Sequence, residues 1–148
     1  HVGNYPKFYK MDLLSRLGFI ATELLLSAED KERFTEANDR AVILVGHHGS
    51  LLADINYLQS IKNPNDYFPS PERFVYTLPN IVTGEIAIRN KYHGETGFYL
   101  LDERNDEVIN NIISTAFIDS KTKSVIGGWI DCTDNDNFEA DLNIIERI

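Results

Sequence analysis

Two carboxylates, Asp102 and Glu103, follow the short apolar segment 98–101 and precede an amphipathic segment over 105–119. A strand that stops where a helix starts delivers its last residues to the helix N-terminus, where backbone N–H groups and the dipole favour an anion. Many α/β enzymes place a nucleophile there. Here the side chains delivered are acids, suited to proton transfer. The plainer role is a helix N-cap or first-turn acid, worth about 1 kcal/mol or less. A second group is Gly46-His47-His48-Gly49-Ser50, directly after the apolar run 41–45. Doubly wound proteins put ligand loops at that end of a buried strand, which makes His47, His48 and Ser50 candidate binding residues. Adjacent histidines point differently, and even with Asp54 the spacing is no zinc motif, so no metal is expected. The glycines serve a tight turn. No nucleophile-elbow sequence surrounds Ser50, and His93 reads as a loop residue beside Gly94. Asp131, Asp134, Asp136, Glu139 and Asp141 form an acidic stretch without the central glycine and closing glutamate of a calcium loop. It reads as a solvated loop.

The elements that must position these groups alternate regularly. Residues 11–28 carry Leu13, Leu14, Leu17, Ile20, Ala21, Leu24 and Leu25 at the spacing of an amphipathic helix. Residues 29–40 are polar and predict a solvated connection. The unbroken apolar run 41–45, closed by Gly46, fits a parallel strand buried on both faces. Residues 51–61 predict a helix, and 63–73, with three prolines, a loop. A helix entered at Pro79, a turn at Gly94 and a strand over 98–101 follow. Val108, Ile109, Ile112, Ile113, Ala116 and Phe117 then form one helical stripe. Residues 124–130 predict a strand interrupted by Gly127-Gly128. Within 132–148, a loop and a last edge strand over 140–148 are expected. This alternation argues for α/β architecture with a mainly parallel sheet.

Composition narrows the functions. The chain has 148 residues, the size of one domain, with 43% apolar content. Its net charge of −9 argues against general nucleic-acid binding. The single cysteine, Cys132, excludes an intrachain disulfide and a multi-cysteine zinc site. No run of about 20 apolar residues predicts a membrane span, and no signal peptide is evident. A cytoplasmic protein without a cofactor is expected.

The segment from Pro79 onward resembles the β-ketoacyl-ACP synthases of the thiolase superfamily. Their approach to the active site reads roughly P-N-x-x-x-G-x-I-A-I, then a glycine ten residues after the first, then the nucleophilic cysteine nine residues later. Pro79, Asn80, Gly84, Ile86, Ala87, Ile88 and Gly94 match without a gap, and the cysteine position is Glu103. Met11-Asp12 is similar to the start of a family helix, 41–49 to the family's Val-Gly-x-x-x-G strand and loop, and Val125-Ile126-Gly127-Gly128 to its Ala-Gly-Gly strand. Roughly residues 10–132 are covered.

The resemblance implies a thiolase-like half: a mainly parallel mixed sheet of about five strands, flanked by helices on both faces. It implies the N-terminal half of a protein more than twice as long, without the two histidines of the other half. A carboxylate at the cysteine position would form an anhydride, which is no useful acyl carrier. The chain therefore resembles those relatives that serve as non-condensing partners of an active acyltransferase, a pseudoenzyme of fatty-acid or polyketide-type biosynthesis. The alternative is altered acyl-thioester chemistry, decarboxylation or acyl transfer, with Asp102 or Glu103 as acid or base. The family dimerises through the strand before the cysteine. That implies a homodimer through Phe98, Tyr99, Leu100 and Leu101, or a heterodimer with a complete ketosynthase. An acyl carrier protein is a further implied partner. The acidic balance of the chain opposes it, whereas Lys7, Lys10 and Arg16, with Arg89 and Lys91, offer local basic patches.

Overall fold

The computed structural model describes residues 2–34 and 38–148. Part of the polar connection expected over 29–40 lies outside them. A four-stranded sheet has the order β2-β1-β3-β4, where β1 is Ala41–Gly46, β2 Thr96–Leu100, β3 Ser124–Cys132 and β4 Phe138–Glu146. β1 pairs in parallel with both β2 and β3, while β3 and β4 form an antiparallel hairpin. The resemblance implied about five strands; among the described residues there are four, and β1, not a further strand, joins β2 to β3.

The all-apolar β1 is explained by its place. It is the inner parallel strand, and every one of its residues is buried. Ile43 and Val45 face α5 (Asp106–Thr115) through Ile109 and Ile113. Val42 and Leu44 face α1 (Leu13–Glu29) and α4 (Ile81–Asn90) through Leu14, Val82 and Ile86. Alternate side chains of one strand thus feed two cores, and helices cover both faces. Gly127 lets α5 settle on the sheet, since a Cβ there would lie 2.8 Å from the Ile113 side chain. β3 is not interrupted at Gly127-Gly128: its ladder to β4 runs on to Cys132.

Local chemistry sets the boundaries. Asp12 caps α1, accepting from the Ser15 N–H at 3.0 Å. Asp30 ends it in the left-handed region at φ 52°. The helix expected from Pro79 begins at Ile81, after a turn in which the Ile81 N–H donates to the Leu78 carbonyl. The proline-rich loop expected over 63–73 ends early, because Ser70 and Pro71 start the short α3, Pro71–Val75. At Gly94 the backbone passes so close to residues 39 and 40 that a Cβ would sit 2.6 Å from their carbonyl oxygens. Only glycine permits the turn that starts β2 beside β1. A third cluster, Met11, Phe19, Ala53 and Tyr76, holds α2 (Leu51–Ile61) to the body. Ala53 is the one buried residue of α2, which leaves Leu51, Ile55 and Leu58 exposed.

Candidate functional site

The parallel strands β1, β2 and β3 all end on one side of the sheet, and every candidate residue except the distal acids of the hairpin gathers there. The chain leaves β1 for β2 on one side and returns through β3 on the other. The gap between the carboxyl ends of β1 and β3 is therefore the topological switch point, the usual ligand position in an open α/β sheet.

His47 and His48 leave β1 directly over this gap, and Asp131, near the end of β3, reaches across it. One Asp131 oxygen, Oδ1, accepts the backbone N–H groups of His47 at 3.2 Å and His48 at 2.8 Å. The other, Oδ2, lies 2.7 Å from His48 Nδ1. Burial pushes the Asp131 carboxyl up, but the bonds from the His48 ring and from both backbone N–H groups outweigh it, and its pKa lies below the ordinary carboxylate value. His47 is anchored on the β2 side, its Nδ1 2.8 Å from the Leu101 carbonyl. That bond requires the proton on Nδ1, because a carbonyl only accepts. The two imidazoles meet edge to face, with centroids 4.5 Å apart.

Ser50, at the start of α2, is buried and donates to the Thr77 carbonyl at 2.7 Å. Its second neighbour is Asp54 Oδ2, at 3.4 Å. The loop thus brings the histidines to Asp131 and turns Ser50 toward Thr77. Asp102 and Glu103 lie at the end of β2, both exposed. Neither caps α5. That position is Asn105, whose side chain accepts from the Val108 N–H at 3.1 Å, and the first-turn acids are Asp106 and Glu107. The cap lies two or three residues beyond the acids the sequence suggests, because Asp102, Glu103 and Asn105 offer side-chain oxygens within four residues.

The acidic stretch is a hairpin, not a free loop. Asp134 Oδ1 accepts the backbone N–H groups of Asp136 and Asn137, at 2.8 and 2.9 Å, and closes the turn between β3 and β4. The Asn137 side chain, with those backbone bonds, holds the Asp134 carboxyl below its ordinary pKa. Glu139 accepts from the Trp129 indole, and Asp141 pairs with Arg104 at 2.6 Å. Among the described residues no group of three or more His, Cys, Asp or Glu is arranged to hold a metal ion. Cys132 is buried at the end of β3, and burial raises its pKa, with nearby acids adding to the effect. It is a poor nucleophile there. The basic patch near the start of the chain is largely spent internally: Lys7 pairs with Glu85, Lys10 with Glu72 and Arg89 with Glu23.

The α/β fold matches that of solved ketosynthase-type structures. The chain is similar to a chain of the complex between the ketosynthase ApeO and its chain length factor ApeC from Xenorhabdus doucetiae (TM-score 0.62, 16% identity, 89% of this chain and 52% of that one). It is also similar to the ishigamide ketosynthase/chain length factor (TM-score 0.64, 22% identity, 82% of this chain and 35% of that one). The chain thus spans about half, or less, of the solved chains it matches. No protein-family model and no curated protein matches it. Among the described residues no helix is long and apolar enough to cross a membrane.

Asp131 is the site residue that sequence reasoning missed. Nothing near it marks it out among five neighbouring acids. Its partners are 83 and 84 residues away and become neighbours only through the β1–β3 pairing.

Proposed function

We propose that this chain is a ketosynthase-like component of fatty-acid or polyketide-type biosynthesis, a non-condensing subunit that acts through a partner. The observation that carries this reading is the end of β2. By the spacing of the sequence resemblance the nucleophile position falls at Glu103, just beyond the end of β2, and Glu103 is an exposed acid. The one cysteine is buried at the end of a different strand. Support for a partner comes from β2 itself, an outer strand of the sheet, with Tyr99 38% and Leu100 56% exposed. An open parallel edge with apolar side chains is a template for pairing with another chain. The bare row Leu51, Ile55 and Leu58 on α2 adds to the apolar surface. A second copy or a complete ketosynthase suits this edge. An acyl carrier protein is a weaker fit, since most of the local cations already have carboxylate partners.

The test combines acyl-ACP and malonyl-ACP with the purified chain, alone and with proteins co-purified from its source, and follows acyl transfer and decarboxylation by intact mass. The expected result is no transfer by the chain alone and recovery of a ketosynthase partner. Acylation of the isolated chain, abolished in Glu103→Gln, would replace this reading.

A second reading, altered acyl chemistry within the chain itself, is favoured by one observation: the oriented His48–Asp131 pair at the switch point. On that reading the acid–base group is an imidazole in place of Asp102 or Glu103, the acids to which the sequence resemblance points.

A further inference from the structure

We propose that the hollow between the start of α1, one face of α2 and α3 binds a phosphorylated polyol, with Lys10 and Arg73 on its phosphate and the side-chain amides of α2 on its hydroxyl groups. The hollow measures about 610 Å³, within the range of small-molecule sites and much more than a free phosphate fills. None of its lining residues belongs to the strand ends described above, so the site stands independently of the function proposed there.

The orientation of α2 points to a polar occupant. Ala53, Asn56, Tyr57 and Ser60 recur at the spacing of one helical face, and all four line the hollow. A helix that only packs turns its apolar stripe to the body. Here that face carries an amide and two hydroxyl groups beside the buried Ala53, while Leu51, Ile55 and Leu58 are exposed. Gln59 adds a second amide to the lining. An amide offers two donors and an acceptor, the set that hydroxyl groups use. The Ser60 hydroxyl donates to the Tyr57 carbonyl at 2.6 Å, and its oxygen is left to accept.

Two cations meet this face from different elements. Arg73 belongs to α3 and Lys10 to the turn Pro6–Lys10 ahead of α1, and both line the hollow. Lys10 Nζ lies 3.7 Å from Glu72, a loose pair between two exposed side chains that holds the ammonium weakly. Arg73 has no carboxylate partner among the described residues. A guanidinium fork matches phosphate oxygens, and an ammonium adds a point charge. Two carboxylates, Glu72 beside Lys10 and Asp12 in the lining, oppose a bare anion. Asp12 Oδ1 caps α1 through the Ser15 N–H, and a carboxylate has capacity for a further donor. An anion that carries hydroxyl groups can supply that donor. Tyr57, its ring tilted against Phe74 with centroids 5.5 Å apart, and the buried Tyr76 give ring surface for the carbon skeleton.

The experiment titrates the full chain calorimetrically with glucose 6-phosphate and glycerol 3-phosphate, beside glucose, inorganic phosphate and glucuronate. The expected result is saturable binding of a sugar phosphate, at least about tenfold tighter than glucose or inorganic phosphate and weakened by salt. Arg73→Ala and Lys10→Ala should each weaken it about tenfold, the loss of one charge-assisted contact. The double variant Asn56→Leu with Gln59→Leu should bring the sugar phosphate down to the affinity of inorganic phosphate. Lys121→Ala, outside the hollow, should leave binding unchanged. All these side chains are exposed, and circular dichroism melts check that each variant is folded. No saturable binding of either phosphorylated probe overturns the proposal, as does binding that persists unchanged in folded Arg73→Ala and Lys10→Ala. Inorganic phosphate bound as tightly as the sugar phosphate overturns the polyol, and glucuronate bound as tightly overturns the phosphate.

Discussion

The carboxyl ends of β1 and β3 and the carboxyl end of β2 lie side by side on one edge of the sheet, yet they are built in opposite ways. At the first, a single carboxylate, Asp131, holds two backbone N–H groups and one imidazole. At the second, Asp102 and Glu103 stand in solvent, and the capping of the next helix belongs to Asn105. A carboxylate with several donors is committed to one geometry; a solvated one is free. The resemblance draws attention to the second region, while the physical organisation is in the first.

Removing Asp131 breaks the comparison most sharply. Asp131→Ala leaves two backbone N–H groups without their acceptor and should cost about 2–4 kcal/mol, read from urea unfolding midpoints. Glu103→Gln should change stability by less than about 0.5 kcal/mol in the same measurement. Comparable losses in the two variants would erase the distinction between the regions.

Acid sharpens it further. The folded pKa of Asp131 is depressed, so its contribution is present above the ordinary carboxylate value near 3.8 and is lost as pH falls through the lower folded value. Glu29 behaves alike on the far side of the sheet. The Arg40 guanidinium 2.6 Å away, against some cost of burial, lowers its pKa from 4.5 to about 2. Stability should therefore decline between about pH 4.5 and pH 2. Asp131→Asn and Glu29→Gln should each flatten that slope. Unfolding titrations across that range decide the matter.

Much of this fold was legible in the sequence. The run 41–45, with no polar residue, marked a strand covered on both faces, and Ile109 and Ile113 of the stripe marked the buried side of α5, which ends at Thr115, before Ala116 and Phe117. Gly94 marked a turn that only glycine allows. The hairpin was harder to read, because β4 is mostly exposed and carries Glu139, Asp141 and Asn143 among its apolar residues. What held its turn together was Asp134, an acid that looks from the sequence like any other in its stretch. The histidines were visible as a pair, but their meaning depends on Asp131, and that contact is a consequence of strand order. Side chains brought together by sheet topology leave no local pattern behind.

The smallest expected effect on stability accompanies the largest on assembly. Leu100→Asp, on the open edge of β2, should change the unfolding free energy by less than about 0.5 kcal/mol, since the side chain is 56% exposed. It should nonetheless disrupt pairing through that edge, because a new charge there would be desolvated on contact.

Sedimentation velocity of the chain at micromolar concentration, with the Leu100→Asp variant beside it and with the proteins recovered alongside the chain from cells, tests the partner-subunit account most directly. The account predicts either a mass of two chains that falls to one in the variant, or a ketosynthase that co-sediments with the unaltered chain and is lost from the variant. A one-chain mass for both proteins, with no partner recovered, would contradict it.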